Sequence, residues 1–257
     1  MLTLTFLGTG TSQGIPIISC GCWVCKSMDA KDKRLRSSVL ISYDDGVQLT
    51  VDAGPDFRAQ MIREDVKKLD AVLVTHEHKD HVGGLDDVRA FNYTSSNSID
   101  VYASERVQQT LKKDYDYAFE QNPYPGVPRM NLCTISDEKF MVSGHEVIPI
   151  LGKHFRLPVT GFRFGTLAYL TDFNYISEGE KQKLEGLDVL IINGLRRERH
   201  LSHFNISEAI ALGRELKAGK IYLTHISHEL GSYALTSKEL PENVFLAYDG
   251  LKIIIQD

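Results

Sequence analysis

The sequence predicts an α/β fold, and its order of strands and helices suits two packed sheets flanked by helices as one of several α/β layouts. Apolar runs of strand length occur on both sides of a central histidine-rich segment, and runs typical of helices are interleaved with them. The chain has 257 residues and 42% hydrophobic content, which is enough for one large α/β domain. No Pro/Gly/Ser-rich linker divides it, so we expect a single domain over residues 1–257.

The first elements are predicted from alternation and turn chemistry. Leu2–Phe6 alternates as a strand does. Val39–Tyr43 and Val47–Val51 flank an Asp-Asp-Gly sequence, and its Asp-Gly pair is typical of a hairpin turn. A helix is expected from Pro55 to about Lys67, because proline is tolerated in the first helical turn.

The middle of the chain begins with Ala71–Val74, a short and continuous apolar run that predicts a buried strand. We expect a helix from near Gly84 to Asn92, then a strand at Ile99–Ala103 and a helix over Ser104–Lys113. The Pro- and Tyr-rich loop Asn122–Pro128 cannot pair as a central strand. It is expected either to form one wall of a substrate cleft or to be a solvated connection.

The later half repeats the rhythm of strand and helix. A helix is expected from about Ile206 to Lys217, because Asn205 with Glu208 makes a start like a capping box and Gly219 is a stop signal. The last two runs, around an Asp-Gly pair at 249–250, predict a closing hairpin. The strands expected here are Glu146–Leu151, Val159–Phe164, Thr166–Thr171, Asp188–Ile192, Ile221–Thr224, Val244–Ala247 and Lys252–Ile255.

The segment after Ala71–Val74 contains four metal-ligand side chains within six residues, in the pattern His-x-His-x-Asp-His. Loop backbone would let these side chains converge on metal ions. The four candidates are His76, His78, Asp80 and His81. Gly83 and Gly84 follow and permit close backbone approach. A solvated polar turn is the alternative, and three histidines with an aspartate at this spacing argue against it.

This pattern resembles the metallo-β-lactamase superfamily, whose members carry it on the loop after a central strand. The resemblance implies the four-layer αββα sandwich. It also implies three further ligands at strand ends, matched here by His154, Asp172 and His225. The implied arrangement is one metal on His76, His78 and His154, a second on Asp80, His81 and His225, and Asp172 between them. Asp52-Ala53-Gly54 matches the family's Asp-x-Gly, whose aspartate steadies the metal loop without ligating.

The expected cofactors are therefore two divalent metal ions in the active site. Seven nitrogen and oxygen ligands without a thiolate suit zinc, manganese or iron(II). The sequence does not decide which metal binds, and zinc and manganese are the two that we expect.

Three cysteines form a second candidate metal site. Cys20, Cys22 and Cys25 are too close together for an ordinary disulfide framework, and in a reducing compartment this spacing favours metal binding. A structural zinc needs four ligands, and His228 is the candidate for the fourth. The alternative is three buried thiols.

Other segments narrow the resemblance within the superfamily. Phe6–Ser12 looks like the Phe-Leu-Gly-Thr-Gly opening of the tRNA 3′-processing ribonucleases. The three-cysteine insert with His228 is closer to the phosphoribosyl 1,2-cyclic phosphate phosphodiesterases of phosphonate breakdown. The tRNA 3′-processing ribonucleases commonly carry a tRNA-gripping arm between the bridging aspartate and the last histidine. In this chain the interval from Asp172 to His225 is taken up by a predicted strand, a loop and a helix, which disfavours such an arm and a tRNA substrate. Class B β-lactamases commonly have cysteine where this chain has Asp172, which disfavours a lactam substrate.

The expected activity is hydrolysis of a small or cyclic phosphodiester by attack of a metal-bridging hydroxide. Asp80 would orient or deprotonate the water. His203 is expected to be the general acid or a phosphate clamp, because the resembled phosphodiesterases have a catalytic histidine just before the corresponding helix, and His200 is the second candidate. Two alternatives stay open: a glyoxalase-type thioesterase on the same fold, and a non-catalytic metal-binding protein.

Composition restricts the partners. The net charge of −5 argues against a non-specific nucleic-acid surface, which needs clustered lysine and arginine. The first residues lack the basic start and long apolar core of a signal peptide, and no run reaches membrane-spanning length. We expect a cytoplasmic enzyme that acts on a small-molecule phosphodiester, without nucleic-acid or membrane partners. A homodimer is left open.

Overall fold

Strands and helices alternate along residues 1–256, which are the part of the chain that the computed structural model describes. Asp257, which the predicted domain also includes, lies outside the described residues. The strands are β1 Leu2–Gly8, β2 Ser38–Tyr43, β3 Gln48–Val51, β4 Ala71–Leu73, β5 Ile99–Ala103, β6 Met130–Thr134, β7 Phe140–Val142, β8 His145–His154, β9 Leu157–Phe164, β10 Leu167–Leu170, β11 Tyr175–Ile176, β12 Val189–Asn193, β13 Lys220–Thr224, β14 Val244–Leu246 and β15 Lys252–Ile255. The α-helices are α1 Phe57–Arg63, α2 Lys79–Val82, α3 Arg89–Ser95, α4 Glu105–Asp114, α5 Glu178–Gln182, α6 Ile206–Glu215 and α7 Tyr233–Thr236.

The strands form two mixed sheets. The first has the order β15-β1-β2-β3-β4-β5-β6, antiparallel as far as β3 and parallel from β3 to β6. The second has the order β11-β8-β9-β10-β12-β13-β14, with β7 paired to β8, and is antiparallel as far as β10 and parallel beyond it. In each sheet the parallel strands end at one edge, which is where ligands usually bind in open α/β sheets.

Three apolar cores establish the layers. The first lies between the two sheets and includes Phe6 and Tyr169. A second joins the outer face of the first sheet to α1, α3 and α4, with Phe57 fully buried in it. A third joins the second sheet to α6 through residues such as Leu190 and Ala209. The order helices, sheet, sheet, helices confirms the predicted αββα sandwich.

The first helix is shorter than predicted. α1 begins at Phe57 rather than Pro55 and ends at Arg63 rather than near Lys67. The Asp56 carboxylate accepts from Arg36 instead of capping the helix. Asp65 has a left-handed φ of 53°, which no α-helix can continue through, and this ends the helix four residues early.

The histidine-rich segment also differs from a pure loop. Its second half is the short helix α2, in which the backbone N–H of His81 donates to the carbonyl of His78. The helix predicted from Gly84 to Asn92 is divided into a 3₁₀ turn at Leu85–Val88 and α3, which continues to Ser95.

The predicted closing hairpin is wrong. β14 pairs with β13 in the second sheet, whereas β15 pairs with β1 in the first, so the Asp-Gly turn crosses between sheets. The carboxylate of Asp249 accepts from Thr9 Oγ1 and from the backbone N–H of Leu35, both at 2.7 Å. Gly250 has a φ of 86° and donates to the carbonyl of Phe6. These bonds fix the turn beside β1 and separate the two strands.

The predicted turn of the β2–β3 hairpin and the predicted start of α6 are confirmed. The hairpin of β2 and β3 closes through Gly46, whose φ is 87°. α6 has the capping box, because Asn205 accepts from the backbone of Glu208 and the Glu208 carboxylate accepts from the backbone of Asn205.

Among the described residues, no helix combines the length and the apolar content that a membrane span needs.

Candidate metal centre

Strand ends from both sheets meet at one cleft and supply its polar side chains. Asp52 follows β3, the histidine-rich segment follows β4, His154 ends β8, Asp172 lies two residues after β10, and His225 follows β13. Asp52, Asp172 and His225 all have left-handed φ angles, of 66°, 64° and 52°. Such a backbone costs on the order of 1–3 kcal/mol for a residue with a Cβ, and it is a feature of functional sites. Here it turns the chain sharply where each strand ends.

The first group of candidate ligands is His76, His78 and His154. Their ligand nitrogens lie within 4.8 Å of one another, and His76 Nε2 is 3.0 Å from His78 Nδ1. His76 and His154 are buried and His78 is exposed, so this group lies at the mouth of the cleft. Three imidazoles at this separation could hold one metal ion.

The second group is centred on His81 and Asp172. His81 Nε2 is 3.1 Å from Asp80 Oδ2 and 3.3 Å from Asp172 Oδ2. His225 Nε2 is 3.2 Å from the other oxygen, Asp172 Oδ1. Separations of about 3–3.5 Å are expected between neighbouring ligands of one ion when each metal–ligand bond is about 2.1 Å. Asp172 also lies within reach of His76 and of His154, so it is the side chain that both groups share.

Asp52 orients two of the candidate ligands, and its carboxylate is not directed at the centre of the cluster. Its carboxylate accepts from His81 Nδ1 at 2.6 Å and from the Thr75 backbone and hydroxyl. Because the Thr75 hydroxyl donates to Asp52, its oxygen accepts the Nδ1–H of His76 at 3.0 Å. The Nδ1 atom of each ring is therefore engaged in a hydrogen bond, which directs Nε2 into the cluster. This is the role predicted for Asp52.

Two further imidazoles are fixed in the same way. His225 Nδ1 donates to Ser37 Oγ at 3.1 Å, and the Ser37 hydroxyl donates to the carbonyl of Gly10. His154 Nδ1 donates to the carbonyl of Ser202 at 2.9 Å. The Nε2 atom of each ring remains free for a metal ion.

The residues present fit a metal ion. Among the described residues, His81 Nε2 is buried and makes no hydrogen bond, although buried polar atoms are normally paired. It is directed at two carboxylates and lies beside the other imidazoles. An ion between these groups would satisfy that atom, and a donor set of imidazole nitrogen and carboxylate oxygen suits zinc, manganese or iron(II).

Electrostatics in the cluster favour a cation. Burial lowers the pKa of His225 to about 3 and the pKa of His76 well below its usual range, so both rings are neutral and can ligate. Burial also opposes the charged form of His81, but Asp172, Asp80 and Asp52 outweigh it and raise its pKa well above the usual range. Positive charge is therefore stabilised where these carboxylates converge.

His203 and His200, the two predicted acid candidates, lie against the same cluster. His203 is buried, and its Nε2 is 3.0 Å from Asp172 Oδ1. Its Nδ1 is 3.0 Å from His200 Nδ1 and 3.1 Å from Ser202 Oγ. His203 thus contacts the centre directly, whereas His200 contacts His203 and Ser202.

Two glycines allow the metal-bearing segment to pack closely. A Cβ on Gly54 would lie 2.0 Å from the carbonyl oxygen of Asp80, and a Cβ on Gly84 would lie 2.1 Å from the carbonyl oxygen of Gly54. The Asp-x-Gly sequence therefore requires its glycine, because a side chain there would displace the backbone that carries Asp80.

The three cysteines and His228 are brought together as predicted. The Sγ atoms of Cys20, Cys22 and Cys25 lie 3.4, 3.3 and 3.6 Å from His228 Nδ1. A tetrahedral zinc with Zn–S bonds of about 2.3 Å and a Zn–N bond of about 2.0 Å requires a sulfur–nitrogen separation of about 3.5 Å. The four side chains could hold one zinc ion.

The thiols of this cluster differ in acidity. The backbone N–H of Cys25 donates to Cys22 Sγ and, against the opposing effect of burial, lowers the pKa of Cys22 to about 6. Burial raises the pKa of Cys25 to about 11. One thiolate is therefore already present at neutral pH, which favours the first metal–sulfur bond.

Some contacts around the cleft have no signal in the sequence. Ser37 and Ser202 orient imidazoles, but neither lies at a spacing that would reveal it. Arg106 on α4 holds Glu77 of the histidine-rich segment through two hydrogen bonds, one of them 2.6 Å long. The loop at residues 122–128, predicted either as a cleft wall or as a solvated connection, does not line the cavity beside His78 and His154.

Comparisons with known proteins agree with this geometry. Residues 48–226 match the family model of the beta-lactamase superfamily domain. Among solved structures, a diphosphatase from the PhnP family is 38% identical, with a TM-score of 0.93 over 100% of this chain and 98% of that one. Human tRNase Z, short form, is 19% identical with a TM-score of 0.72 over 99% of this chain and all of that chain, and shares the fold.

A protein named octanoyltransferase from Porphyromonas gingivalis is 41% identical over 253 residues. The match covers 98% of this chain and 51% of that protein, so the chain spans about half the length of this relative. Fold and sequence together define a protein of the metallo-β-lactamase fold, and the chain belongs to the metallo-β-lactamase superfamily and, within it, to the PhnP family.

Proposed function

We propose that this protein is a binuclear metal-dependent phosphodiesterase that hydrolyses a small or cyclic phosphodiester. The observation that carries the proposal is the sharing of Asp172 by two groups of ligand atoms. His76, His78 and His154 form one group, and the carboxylate of Asp172 joins it to the other. Paired metal sites with a common carboxylate suit phosphate-ester hydrolysis, in which negative charge builds on several oxygens at once.

In this proposal His76, His78 and His154 hold one ion, and Asp80, His81 and His225 hold the second, with Asp172 between them. When bound, the two divalent ions supply Lewis-acid activation of water and of the phosphoryl oxygens. Asp52 and Ser37 keep the imidazoles in the required tautomers, so ion binding needs little rearrangement of the chain.

The chain's own residues perform the proton transfers. Asp80 lies at the cluster with its side chain partly open to solvent, where it can orient the attacking water and accept its proton. His203 donates a proton to the leaving oxygen from Nε2, the atom that faces the centre. Ser202 and His200 contact its Nδ1 and hold the ring in place.

The relatives support the proposal to different degrees. The similar diphosphatase acts, by its name, on a diphosphate, which is also cleaved at a phosphorus–oxygen bond. The octanoyltransferase name belongs to a protein twice as long as the matched region, and an acyl-ester or thioester substrate is the second candidate that it favours. The site does not resemble an acyl-transfer site with a side-chain nucleophile, because its polar groups are arranged as metal ligands.

One comparison of substrates tests this function. The purified protein, stripped with a chelator and reloaded with Mn²⁺ or Zn²⁺, is assayed with bis-p-nitrophenyl phosphate and with S-lactoylglutathione. We expect metal-dependent release of p-nitrophenol and at least 100-fold lower kcat/KM for the thioester. Preferred cleavage of the thioester would replace the proposal with the second candidate, and metal binding without hydrolysis of either would leave a metal-binding protein.

We propose further that one zinc ion binds Cys20, Cys22, Cys25 and His228, and that zinc or manganese occupies the active site. The whole chain is proposed to act as a single domain on a small molecule rather than on nucleic acid. Its formal charge of −5 supports the last point, since a polyanion needs a basic surface.

A further inference from the structure

The first ion of the proposed pair would bind His76, His78 and His154, which come from both sheets. His76 and His78 follow β4 of the first sheet, whereas His154 ends β8 of the second. The core between the sheets is apolar, and apolar burial is non-directional, so it does not by itself fix how far apart these side chains lie. A metal site needs its ligands held to within about 0.5 Å. Directed contacts between the sheets are therefore needed to set this separation.

His78 depends most on such contacts. Its Nδ1 atom lies 3.0 Å from His76 Nε2, and among the described residues its ring has no hydrogen-bond partner outside the ligand cluster. Ligand imidazoles are normally oriented by a hydrogen bond from the second ring nitrogen. The other four candidate imidazoles have such partners, which are Thr75, Asp52, Ser202 and Ser37. The position of His78 must therefore be set through the backbone beside it.

Arg106 ties that backbone to the second sheet. Its Nη1 and Nη2 atoms donate to the two carboxylate oxygens of Glu77, which directly precedes His78, and the Nη2 bond is 2.6 Å long. The same Nη2 atom donates to the carbonyl of Pro158 on β9 at 3.2 Å. One guanidinium thus bonds to the metal-bearing segment of the first sheet and to a strand of the second.

Pro158 lies on the strand that supports His154. In the β8–β9 hairpin, Pro158 pairs with Lys153, which directly precedes His154. The same strand makes a further contact between the sheets, because the backbone N–H of Thr160 donates to the carbonyl of Thr75 at 3.0 Å. Arg106 therefore contacts residues that adjoin a ligand on each side of the first ion's site.

Helix α4 gives the guanidinium a fixed base. Val107 and Leu111 are buried against the first sheet, and Tyr115, just past the end of α4, donates from its hydroxyl to the carbonyl of Val82 at 2.6 Å. The Glu77 side chain is only 16% exposed, so its carboxylate is largely shielded from water. The planar guanidinium of arginine presents several N–H donors in a rigid fork, which lets one side chain hold two acceptors at once.

We propose that Arg106 is a positioning residue that sets the separation of His78 from His154 and thereby the affinity of the first ion. It acts through Glu77 and Pro158 and takes no part in the proton transfers proposed above. The inference rests on the binuclear site of the proposed function and concerns how the fold assembles that site.

The second ion should not depend on Arg106. Its proposed ligands are Asp80, His81 and His225, and there the contact between the sheets is the hydrogen bond of His225 to Ser37. A general loss of structure would weaken both ions, whereas loss of the Arg106 contact should weaken one. This difference separates a positioning role from a merely structural one.

Manganese binding tests the role directly. The unmodified protein and the variants, stripped with a chelator, are titrated with Mn²⁺, and free Mn²⁺ is measured by electron paramagnetic resonance to give a Kd for each ion. The cysteine cluster does not compete, because thiolates are poor ligands for Mn²⁺. His78→Ala and His225→Ala identify which Kd belongs to which ion. We expect Arg106→Gln to raise the Kd of the first ion about 10–100-fold and that of the second less than about threefold.

Lys79→Gln is the matched control. Lys79 lies in the same segment and pairs with Asp114 of the same helix, and among the described residues its side chain has no other hydrogen-bond or ion-pair partner. Both Kd values should stay within about threefold of those of the unmodified protein. Thermal unfolding of each metal-free variant establishes that it is folded.

Two further variants separate the fork from the charge. Arg106→Lys keeps the cation without the planar fork, so its first Kd should remain at least about fivefold above that of the unmodified protein. Glu77→Gln should also weaken the first ion. Combining it with Arg106→Gln should add no more than about twofold to the effect of Arg106→Gln alone, because both changes break one contact.

Three results would overturn the inference: an unchanged first Kd in Arg106→Gln, equal weakening of both ions, or full recovery of the first Kd by Arg106→Lys. The last would mean that charge alone accounts for the effect. Failure of the proposed function looks different, because the selective change in the first Kd would then be present in a protein that does not hydrolyse bis-p-nitrophenyl phosphate.

Discussion

The Nδ1 atom of His203 lies 3.0 Å from the Nδ1 atom of His200, and the hydroxyl of Ser202 is within 3.3 Å of both. The other ring nitrogen of His203 faces Asp172 at the centre. Two imidazoles and a hydroxyl therefore extend outward from the candidate metal site, with only the first ring touching it. This order separates a ring that contacts the candidate metal site from one that contacts that ring.

Replacing His203 with alanine should reduce kcat for bis-p-nitrophenyl phosphate by about 10²–10⁴-fold, because the leaving oxygen loses its proton donor. Both active-site ions should remain, as measured by inductively coupled plasma mass spectrometry. His200→Ala is the graded comparison and should lower kcat less than tenfold. Full activity of His203→Ala would remove the acid role from this residue.

Asp52→Asn should weaken binding of the active-site ions about 10–100-fold, because the carboxylate orients His81 and, through Thr75, His76. Metal affinity is measured by competition with a chromogenic chelator. Asp45→Asn is a suitable control, since Asp45 is exposed and pairs with His145, outside the metal cluster. Equal metal affinities in the two variants would mean that Asp52 does not strengthen metal binding.

Gly54→Ala should destabilise the protein by about 3 kcal/mol, because the added Cβ would lie 2.0 Å from the Asp80 carbonyl oxygen and backbone must move. Urea unfolding gives the free energy, and metal content should fall as Asp80 shifts. Gly179→Ala in α5 meets no atom within 4 Å and should stabilise by up to about 1 kcal/mol. A neutral Gly54→Ala would contradict the close approach.

Thiol reactivity should follow the different acidities in the candidate zinc site. The thiolate is the reactive form, and its fraction rises with pH through the pKa. After zinc removal and reduction, Cys22 should reach half its maximal rate with iodoacetamide near pH 6, and Cys25 should stay unmodified until the pH approaches about 11. Peptide mass spectrometry distinguishes the two. Readdition of zinc should protect both, and faster modification of Cys25 at pH 7 would contradict the assignment.

Much of the site could be predicted because its residues follow apolar strands in a recognisable pattern. The resemblance to the metallo-β-lactamase superfamily implies His154, Asp172 and His225 as ligands at strand ends, and the structure brings them to the His76–His81 segment. The pairing of the strands could be predicted less well from the sequence. The Asp-Gly pair after β14 correctly signals a turn, but local sequence does not show that the next strand belongs to the other sheet.

Residues that act through distant contacts gave no sequence signal. Ser37 orients His225 from 188 positions away, and a lone serine has no pattern that points to this. The edge strand β6 is half-exposed and carries only weak apolar alternation, so it was missed.

The cluster of three cysteines and His228 joins segments that are far apart in the chain. Cys25 and His228 are separated by 203 positions, so a zinc ion held between them acts as a cross-link that closes a loop through most of the molecule. By the loop-entropy relation used for disulfides, a closure of this length restricts the denatured ensemble by an amount worth on the order of 5 kcal/mol. With zinc bound, this small insert of three cysteines would restrain the ends of both sheets against spreading apart.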